Sequence, residues 1–256
     1  MSSKYWVRLN GESLTDISDK IKILDVKESS PSVSVDISSN GIYGGSKFLR
    51  KIRNSLSVSI EFVILDKDMS SRKSIMARVH NWMKDGYLTL SDRPGQRLYV
   101  RSTQIPYVAS SKDFTSSIRI VLTAYEFPWW ENETEQIVEL KSAKEGSLEL
   151  LLDGNADYAP LSCTVAPSST MTKFTLMSNS DTIKLEGLSI DNGNKLLINN
   201  DNFILSIKDD NGDSKLNNLL DSSDDNIRLN PGIVNKIKFV SDVNCDVKIS
   251  SKGCWK

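Results

Sequence analysis

Hydrophobic and polar residues alternate along much of this chain. From Leu56 to Ile64 every second residue is apolar, and serines and Glu61 occupy most of the positions between them. Because successive side chains of a strand point to opposite faces, this segment predicts a strand with one face in a core. The segment Ile118–Ala124 alternates in the same way. Further short strands are predicted at residues 20–27, 32–37, 87–90 and 98–102.

One segment of the first half has a helical period instead. Between residues 70 and 85 the apolar residues fall at i, i+1, i+4, i+7 and i+8, and they are Ile75, Met76, Val79, Trp82 and Met83. This spacing places them on one face of an α-helix. We expect Ser70 or Ser71 to cap the start of this helix and Gly86 to end it.

The second half is built from short segments separated by turns. Residues 191–194 and 210–213 contain Asn-Gly steps, which are strong turn signals. Strands are predicted at residues 147–152, 173–177, 182–185, 195–198, 203–208, 235–239 and 243–250. Many short strands without a helix predict an antiparallel β-sandwich. We therefore predict a mainly β protein, with a β-sandwich domain over residues 1–131 that carries the helix and a second β-sandwich over residues 135–256.

The charge is distributed unevenly between the two halves. Through Thr134 there are 19 Lys/Arg and 15 Asp/Glu residues, whereas from Glu135 onward there are 13 and 18. Nine of the ten arginines lie in the first part. Neither half is basic enough to predict a dedicated nucleic-acid binder. Arginine is favoured at protein interfaces, so the first part has the composition of an assembly surface.

Candidate catalytic and metal-binding patterns are incomplete. Ser70-x-x-Lys73 matches the S-x-x-K pattern of β-lactamases, but the partner motifs are missing, so helix capping explains the serine. His80 is the single histidine, and the three cysteines contain no C-x-x-C pair, so no ordinary zinc site is predicted. The acidic turn at residues 209–213 lacks the glycine and the glutamate of an EF-hand loop. We predict no enzyme activity, no cofactor and no metal site, and no apolar run is long enough to cross a membrane.

A basic cluster follows the glycine-rich stretch at residues 41–47. It consists of Lys47, Arg50, Lys51 and Arg53. Such a cluster is most often a solvated face, but copies arranged around an axis would give a positively charged bore. Because a ring of such copies would be a strongly positive collar, some of these cations would have to pair with carboxylates of a neighbouring copy. In such a ring we expect Arg50 and Arg53 to lie at the boundary between subunits, with Lys47 and Lys51 nearer solvent.

The decapeptide TAYEFPWWEN, residues 123–132, contains four aromatic residues and a proline. It follows a predicted strand and precedes the change in pattern between the halves. Three interpretations are possible: a stacking surface for a sugar, a piece of core, or a seam between two domains. Because Trp129 and Trp130 would bury a large area where the domains meet, we predict the seam.

The order of these segments resembles the distal tail proteins of long, flexible-tailed (siphovirus-type) bacteriophages and prophages of Gram-positive bacteria. The resemblance covers nearly the whole chain. It is carried by DIS at residues 16–18, RKIRNSLSVSI at 50–60, the helix ending in Asn81 and Trp82, LTAYEFPWWE at 122–131, NKIKF at 235–239 and GCW at 253–255.

This resemblance implies an N-terminal belt domain that closes into a hexameric ring and a C-terminal galectin-like β-sandwich outside it. Its implied partners are other copies of the chain, the tail tube protein, the tail-tip hub protein and, in some relatives, a receptor-binding protein. DNA would pass through the lumen without specific binding, and the protein would be located in the tail tip of the virion. The alternative is a carbohydrate-binding protein that contacts cell-wall saccharide. For that role the second half offers the aromatic residues Tyr158, Phe174, Phe203, Phe239 and Trp255.

Overall fold

The computed structural model describes residues 5–29, 33–39, 46–53, 55–104, 117–179, 181–200 and 204–256, with the backbone alone for 33–39, 46–53 and 103–104. The chain forms two compact units, Met1–Trp130 and Glu131–Lys256. The first unit contains the strands β1 Val7–Leu9, β2 Glu12–Ser13, β3 Ile21–Ser29, β4 Val33–Ser39, β5 Ser46–Arg53, β6 Leu56–Ile64, β7 Gly86–Leu90, β8 Gln96–Gln104 and β9 Ile118–Ala124. The strand β10, Trp130–Asn132, contains the division between the units.

Seven strands of the first unit follow one another in the order β2-β1-β7-β8-β9-β6-β3. Strand β8 pairs with β7 through its first part and with β9 through its last part, and the pairing with β9 has a register shift between Ser102 and Gln104. Strands β4 and β5 form a separate antiparallel hairpin. The five apolar residues that alternate along β6 are at most 2% exposed, as their period of two predicts. The first four of them oppose buried residues of β9, where Ile60 pairs with Ile120.

The α-helix of this unit, α1, runs from Met69 to Trp82. Its apolar stripe is buried as predicted, but both predicted ends are wrong. The N-cap is Asp68, whose carboxylate accepts hydrogen bonds from the backbone N–H groups of Ser70 and Ser71 at 3.1 Å each. A carboxylate has two oxygens and can satisfy two of the donors that a helix start leaves unpaired, which a serine hydroxyl cannot. Gly86 does not end the helix but begins β7.

The second unit is built around two long strands. They are β11, Gln136–Leu151, and β19, Val234–Ser251, which pair with each other along almost their whole lengths. The other strands are β12 Ala159–Pro160, β13 Ser162–Pro167, β14 Met171–Ser178, β15 Asp181–Ile190, β16 Leu196–Asn199, β17 Ser206–Asp209, β18 Arg228–Leu229 and β20 Cys254–Trp255.

Strand β19 belongs to two layers. Its first half pairs with β14, which pairs with β15, whereas its second half pairs with β13, which continues to β16 and β17. Register shifts in β11 on either side of Ala143 mark the place where the layers divide. Phe174 and Phe239 stack in the core with ring centroids 6.3 Å apart.

The predicted class, a mainly β chain with antiparallel β-sandwich architecture and one α-helix, is confirmed for the described residues. Four strand predictions were inaccurate. Residues 235–239 and 243–250 belong to one strand, residues 147–152 mostly form the end of the longer β11, and the strand predicted from residue 203 begins at Ser206. Within the described ranges, no helix is both long and apolar enough to cross a bilayer.

Candidate functional site

Arg50 and Arg53, the predicted interface arginines, lie in strand β5 of the hairpin. Arg50 is the register partner of Asp36, and Arg53 is the partner of Val33. Their side chains lie outside the described part of the structure, as do residues 40–45 of the glycine-rich stretch. In a regular strand, positions three apart fall on opposite faces. The placement of both arginines at a subunit boundary therefore stays a prediction, and each requires its own test.

Trp130 belongs to a cluster of three side chains within the first unit, which we call the Trp130 cluster and which comprises Glu28, Arg93 and Trp130. The indole Nε1–H of Trp130 donates a hydrogen bond to Oε2 of Glu28 at 3.0 Å. Arg93 donates from Nε and Nη2 to the two oxygens of Glu28, at 2.8 and 3.0 Å. Its guanidinium carbon lies 4.9 Å from the centroid of the Trp130 ring. One carboxylate is thus bound by the indole and the arginine together, and the arginine also faces the ring.

The elements that hold this cluster are distant in sequence. Glu28 lies near the end of β3, Arg93 lies in the turn between β7 and β8, and Trp130 closes the unit. Beside Arg93, Asp92 accepts a hydrogen bond from the hydroxyl of Tyr5 at 3.0 Å. Burial and this hydrogen bond raise the pKa of Tyr5 above its usual range. The cluster therefore ties three distant segments of the first unit to one another.

The tryptophans of the decapeptide are buried. Trp129 is 1% exposed and Trp130 is fully covered, whereas Tyr125 is 54% exposed. Neither tryptophan can therefore act as an exposed stacking surface for a sugar. Their assignment to a seam between domains stays a prediction.

The first residues of the second unit are held by contacts with the C-terminal residues of the same unit. The backbone N–H of Asn132 donates to the carbonyl of Gly253 at 2.8 Å, and the indole of Trp255 donates to Oδ1 of Asn132 at 2.9 Å. Glu131 and Lys252 form an ion pair at 3.3 Å. The C-terminal residues, which carried part of the sequence resemblance, thus secure the start of this unit.

The residues of the incomplete catalytic and metal-binding patterns have structural roles. In the acidic turn, Asp209 accepts hydrogen bonds from the N–H groups of Asn211 and Asp213, and its other oxygen lies 2.9 Å from Nζ of Lys215. Within the described ranges, no three His, Cys, Asp or Glu side chains are grouped to hold a metal ion. Ser70 is the second residue of the helix and donates its backbone N–H to the Asp68 cap, and His80 lies near the other end of that helix.

The three cysteines are buried free thiols. Burial raises the pKa of Cys254 to about 12, and it also raises the pKa of Cys163. A thiol with a raised pKa forms little of the reactive thiolate at neutral pH. The cysteines therefore have the properties of core residues.

Comparisons with known proteins identify the fold. No family model matches the chain, and no curated protein matches it. The chain is similar to the solved structure of the SPP1 Dit protein, described as a paradigm of the hub adsorption apparatus in phages that infect Gram-positive bacteria. The TM-score is 0.70 at 14% identity, and the match covers 98% of this chain and 99% of that one.

Two chains from structures of the phage P2 baseplate in its activated conformation also match. One, from the structure with calcium, has a TM-score of 0.51 at 11% identity and covers 99% of this chain and 98% of that chain. The other, from the structure with strontium, has a TM-score of 0.50 at 11% identity and covers 97% of each chain. At these identities the likeness shows a shared fold over nearly the whole chain.

Proposed function

We propose that this protein is a structural component of the tail tip of a siphovirus-type bacteriophage or prophage, of the distal tail protein kind. The observation that carries the proposal is the full-length match in fold to the SPP1 Dit protein, which includes both units. The sequence resemblance was based on the order of segments along the chain and led to the same class of protein. Two independent comparisons, one of sequence order and one of fold, thus support one role.

In this proposal the first unit is a belt domain that closes into a ring of six, and the second is a galectin-like domain. The ring would join the tail tube protein to the tail-tip hub protein, with a receptor-binding protein as a further partner, and DNA would pass through its lumen. A cyclic ring needs two different patches on each subunit that meet head to tail. The arginine-rich first unit supplies charged groups for such patches, and Arg50 and Arg53 are our candidates.

In this proposal the protein has a structural role and is not an enzyme. In the described part of the chain, the segment that resembles a catalytic pattern is the start of the helix capped by Asp68, and the segment that resembles a metal site is a turn held by Asp209. The packing instead satisfies polar groups within each unit, as in the Trp130 cluster. This arrangement supports a rigid building block of a virion.

The mass of the full-length protein in solution tests the ring. Native mass spectrometry, with and without the neighbouring tail tube and hub proteins, should detect a species of six chains. A protein that remained a monomer with both partners present would refute the ring. That outcome would leave the carbohydrate-binding alternative as the better account.

Charge reversal tests the two arginines. If they lie at the subunit boundary, Arg50→Glu or Arg53→Glu should abolish the six-chain species, because a reversed charge at a buried boundary costs several kcal/mol. Arg78→Glu is the matched control, since Arg78 is an exposed arginine of the helix in the same unit. Intact rings that carry both changes would show that these residues lie elsewhere.

A further inference from the structure

A small polar pocket lies in the second unit, beside the short ladder of β12 and β18. Its cavity volume is about 140 Å³, and it is lined by Asp157, Tyr158, Asn179, Asp181, Arg228 and Asn230. Tyr158 is half-buried, and it is one of the aromatic residues that the sequence offered for saccharide binding. Phe174 and Phe239 belong to the same set, but they are core residues at 0% and 1% exposure, as their places in the strand patterns suggested.

Arg228 is held in position at this pocket by Asp181. The backbone N–H of Arg228 and its Nε donate to Oδ2 of Asp181 at 3.0 and 3.2 Å, and Nη2 donates to Oδ1 at 3.3 Å. Asp181 is only 7% exposed, whereas the side chain of Arg228 is about half exposed. The side-chain bonds engage two of the five N–H donors of the guanidinium, so an oriented donor group stands at an accessible wall.

Two further walls are fixed by one buried side chain, Asn235. This residue is fully buried, and its Oδ1 accepts hydrogen bonds from Nδ2 of Asn179 at 3.2 Å and from the backbone N–H of Asn230 at 2.7 Å. Its Nδ2 donates to the carbonyls of Asn230 and Leu150. Asn179 adopts a left-handed backbone with φ of 51°, which asparagine tolerates better than most residues. The walls of the pocket are therefore preorganised rather than formed by chance on a surface.

The chemistry of the lining selects the ligand. The charges of the lining are paired: Asp181 is bound by Arg228, and Oδ1 of Asp157 lies 2.8 Å from Nζ of Lys256, so neither sign of charge dominates the wall and a neutral polar ligand suits it. Hydroxyl groups can accept from the guanidinium and donate to the carboxylates at the same time. Drug-sized ligands occupy cavities of about 300–1,000 Å³, so a cavity of this size fits a much smaller group. An aromatic residue among polar groups suits the ring of a sugar, which has apolar C–H faces and a polar edge.

We propose that the pocket of Tyr158, Arg228, Asp181, Asn179, Asn230 and Asp157 binds one neutral pyranose ring of a saccharide. This inference concerns the second unit alone and stands whether or not the first unit forms a ring. A larger pocket of about 320 Å³ in the same unit is lined by residues that include Asn192, Asn244 and Lys195 but by no aromatic residue. This larger pocket serves as the control site in the experiment that follows.

The test is a titration of the full-length protein, labelled with ¹⁵N, with glucose, galactose, rhamnose and N-acetylglucosamine. The amide resonances of residues 157–158, 179 and 228–230 should shift with a dissociation constant of about 1 mM or weaker, since so few contacts give low affinity. Sorbitol, an open-chain polyol, should cause no such shifts. Tyr158→Ala and Asn230→Ala should each weaken binding about tenfold, and Asn192→Ala, in the larger pocket, should leave it unchanged.

Two pocket variants are used so that the test remains valid if one of them fails to fold. Asn230 is exposed, and its backbone bonds to Asn235 do not depend on its side chain, so Asn230→Ala should keep the wild-type thermal midpoint. Equal shifts with sorbitol, binding that both variants retain, or no binding of any of the four sugars up to about 100 mM would overturn the proposal. Shifts with glycerol phosphate but with no sugar would show an anion site and would overturn it as well. None of these outcomes depends on the oligomeric state that tests the proposed function.

Discussion

Truncation of Trp130 tests whether the Trp130 cluster stabilises the first unit. Trp130 is fully buried, its indole donates to Glu28, and Arg93 lies over its ring. Trp130→Ala removes the ring, the hydrogen bond and the cation–π contact together. Trp130→Phe removes the N–H donor but keeps most of the apolar surface.

The expected magnitude follows from these contacts. Replacement of a buried tryptophan by alanine costs about 3–5 kcal/mol of folding free energy. Glu28 keeps both hydrogen bonds from Arg93, so it is not left as an unpaired charge and adds little to this cost. For Trp130→Phe the loss is that of one hydrogen bond to a charged group, about 1.5–3 kcal/mol. In a unit of this size, each kcal/mol lowers the melting temperature by about 3–5 °C, so Trp130→Ala should lower it by roughly 10–20 °C.

The assay must resolve the two units, because a chain of two units need not unfold in one step. Hydrogen exchange followed by mass spectrometry reports on each strand separately. In Trp130→Ala, amides of β3 and β6 that exchange through unfolding of the unit should exchange about a hundredfold to a few thousandfold faster. Trp6→Ala is the matched control, since Trp6 is a half-buried tryptophan of the same unit that contacts Arg8 at 4.4 Å.

One result would contradict this reasoning, and two others decide between presence and absence of the predicted seam. Unchanged exchange in β3 and β6 would mean that the cluster does not stabilise the first unit. An equal loss of protection in β19 would show that Trp130 also stabilises the second unit, as the predicted seam at Trp129 and Trp130 requires. A loss confined to the first unit would count against that seam.

Three further predictions concern single side chains. Asp68→Ala should destabilise the first unit by about 1 kcal/mol in chemical denaturation, because the N-cap serves two backbone donors, whereas Ser74→Ala on the exposed side of the helix should not. Lys215 holds the pKa of Asp209 below its ordinary value of 3.8, so this carboxylate contributes stability above that pH and loses it as the pH falls further. Asp209→Asn should therefore lower the melting temperature at pH 7 more than at pH 3, and an equal effect at both would contradict the linkage. Asn235→Ala should cost roughly 2–4 kcal/mol in denaturation, because it leaves several buried groups unpaired, and a near-neutral result would refute the role of Asn235 at the pocket.

The local sequence pattern was sufficient to predict the buried face of an element that keeps the same face in the core along its whole length. Strand β6 alternates between core and surface, and its sequence alternates with it, so its buried face could be predicted residue by residue. The buried apolar stripe of α1 could be predicted for the same reason. The start of the helix was missed because both serine and aspartate are good caps, and the choice depends on which side chain reaches the free N–H groups.

Strand β19 shows where local pattern fails. Two strands were predicted here, at residues 235–239 and 243–250, yet the backbone continues as one strand that changes partner from β14 to β13. A change of partner disturbs the burial pattern as much as a turn does. The pairing with β11, including its bulge, supplies the information that the local sequence lacks.

The sequence by itself determined the mainly β class, the helix stripe, the excess of arginine in the first part and the order of segments that resembles distal tail proteins. Each of these depends on neighbouring residues or on composition. Only the tertiary structure brought Glu28 to Trp130, 102 residues apart, and gathered the Tyr158 pocket from three separate segments. Hydrogen bonds and cavities form between side chains that are close in space. The periodicity of a chain reports which face of each element is buried, but not which other element that face meets.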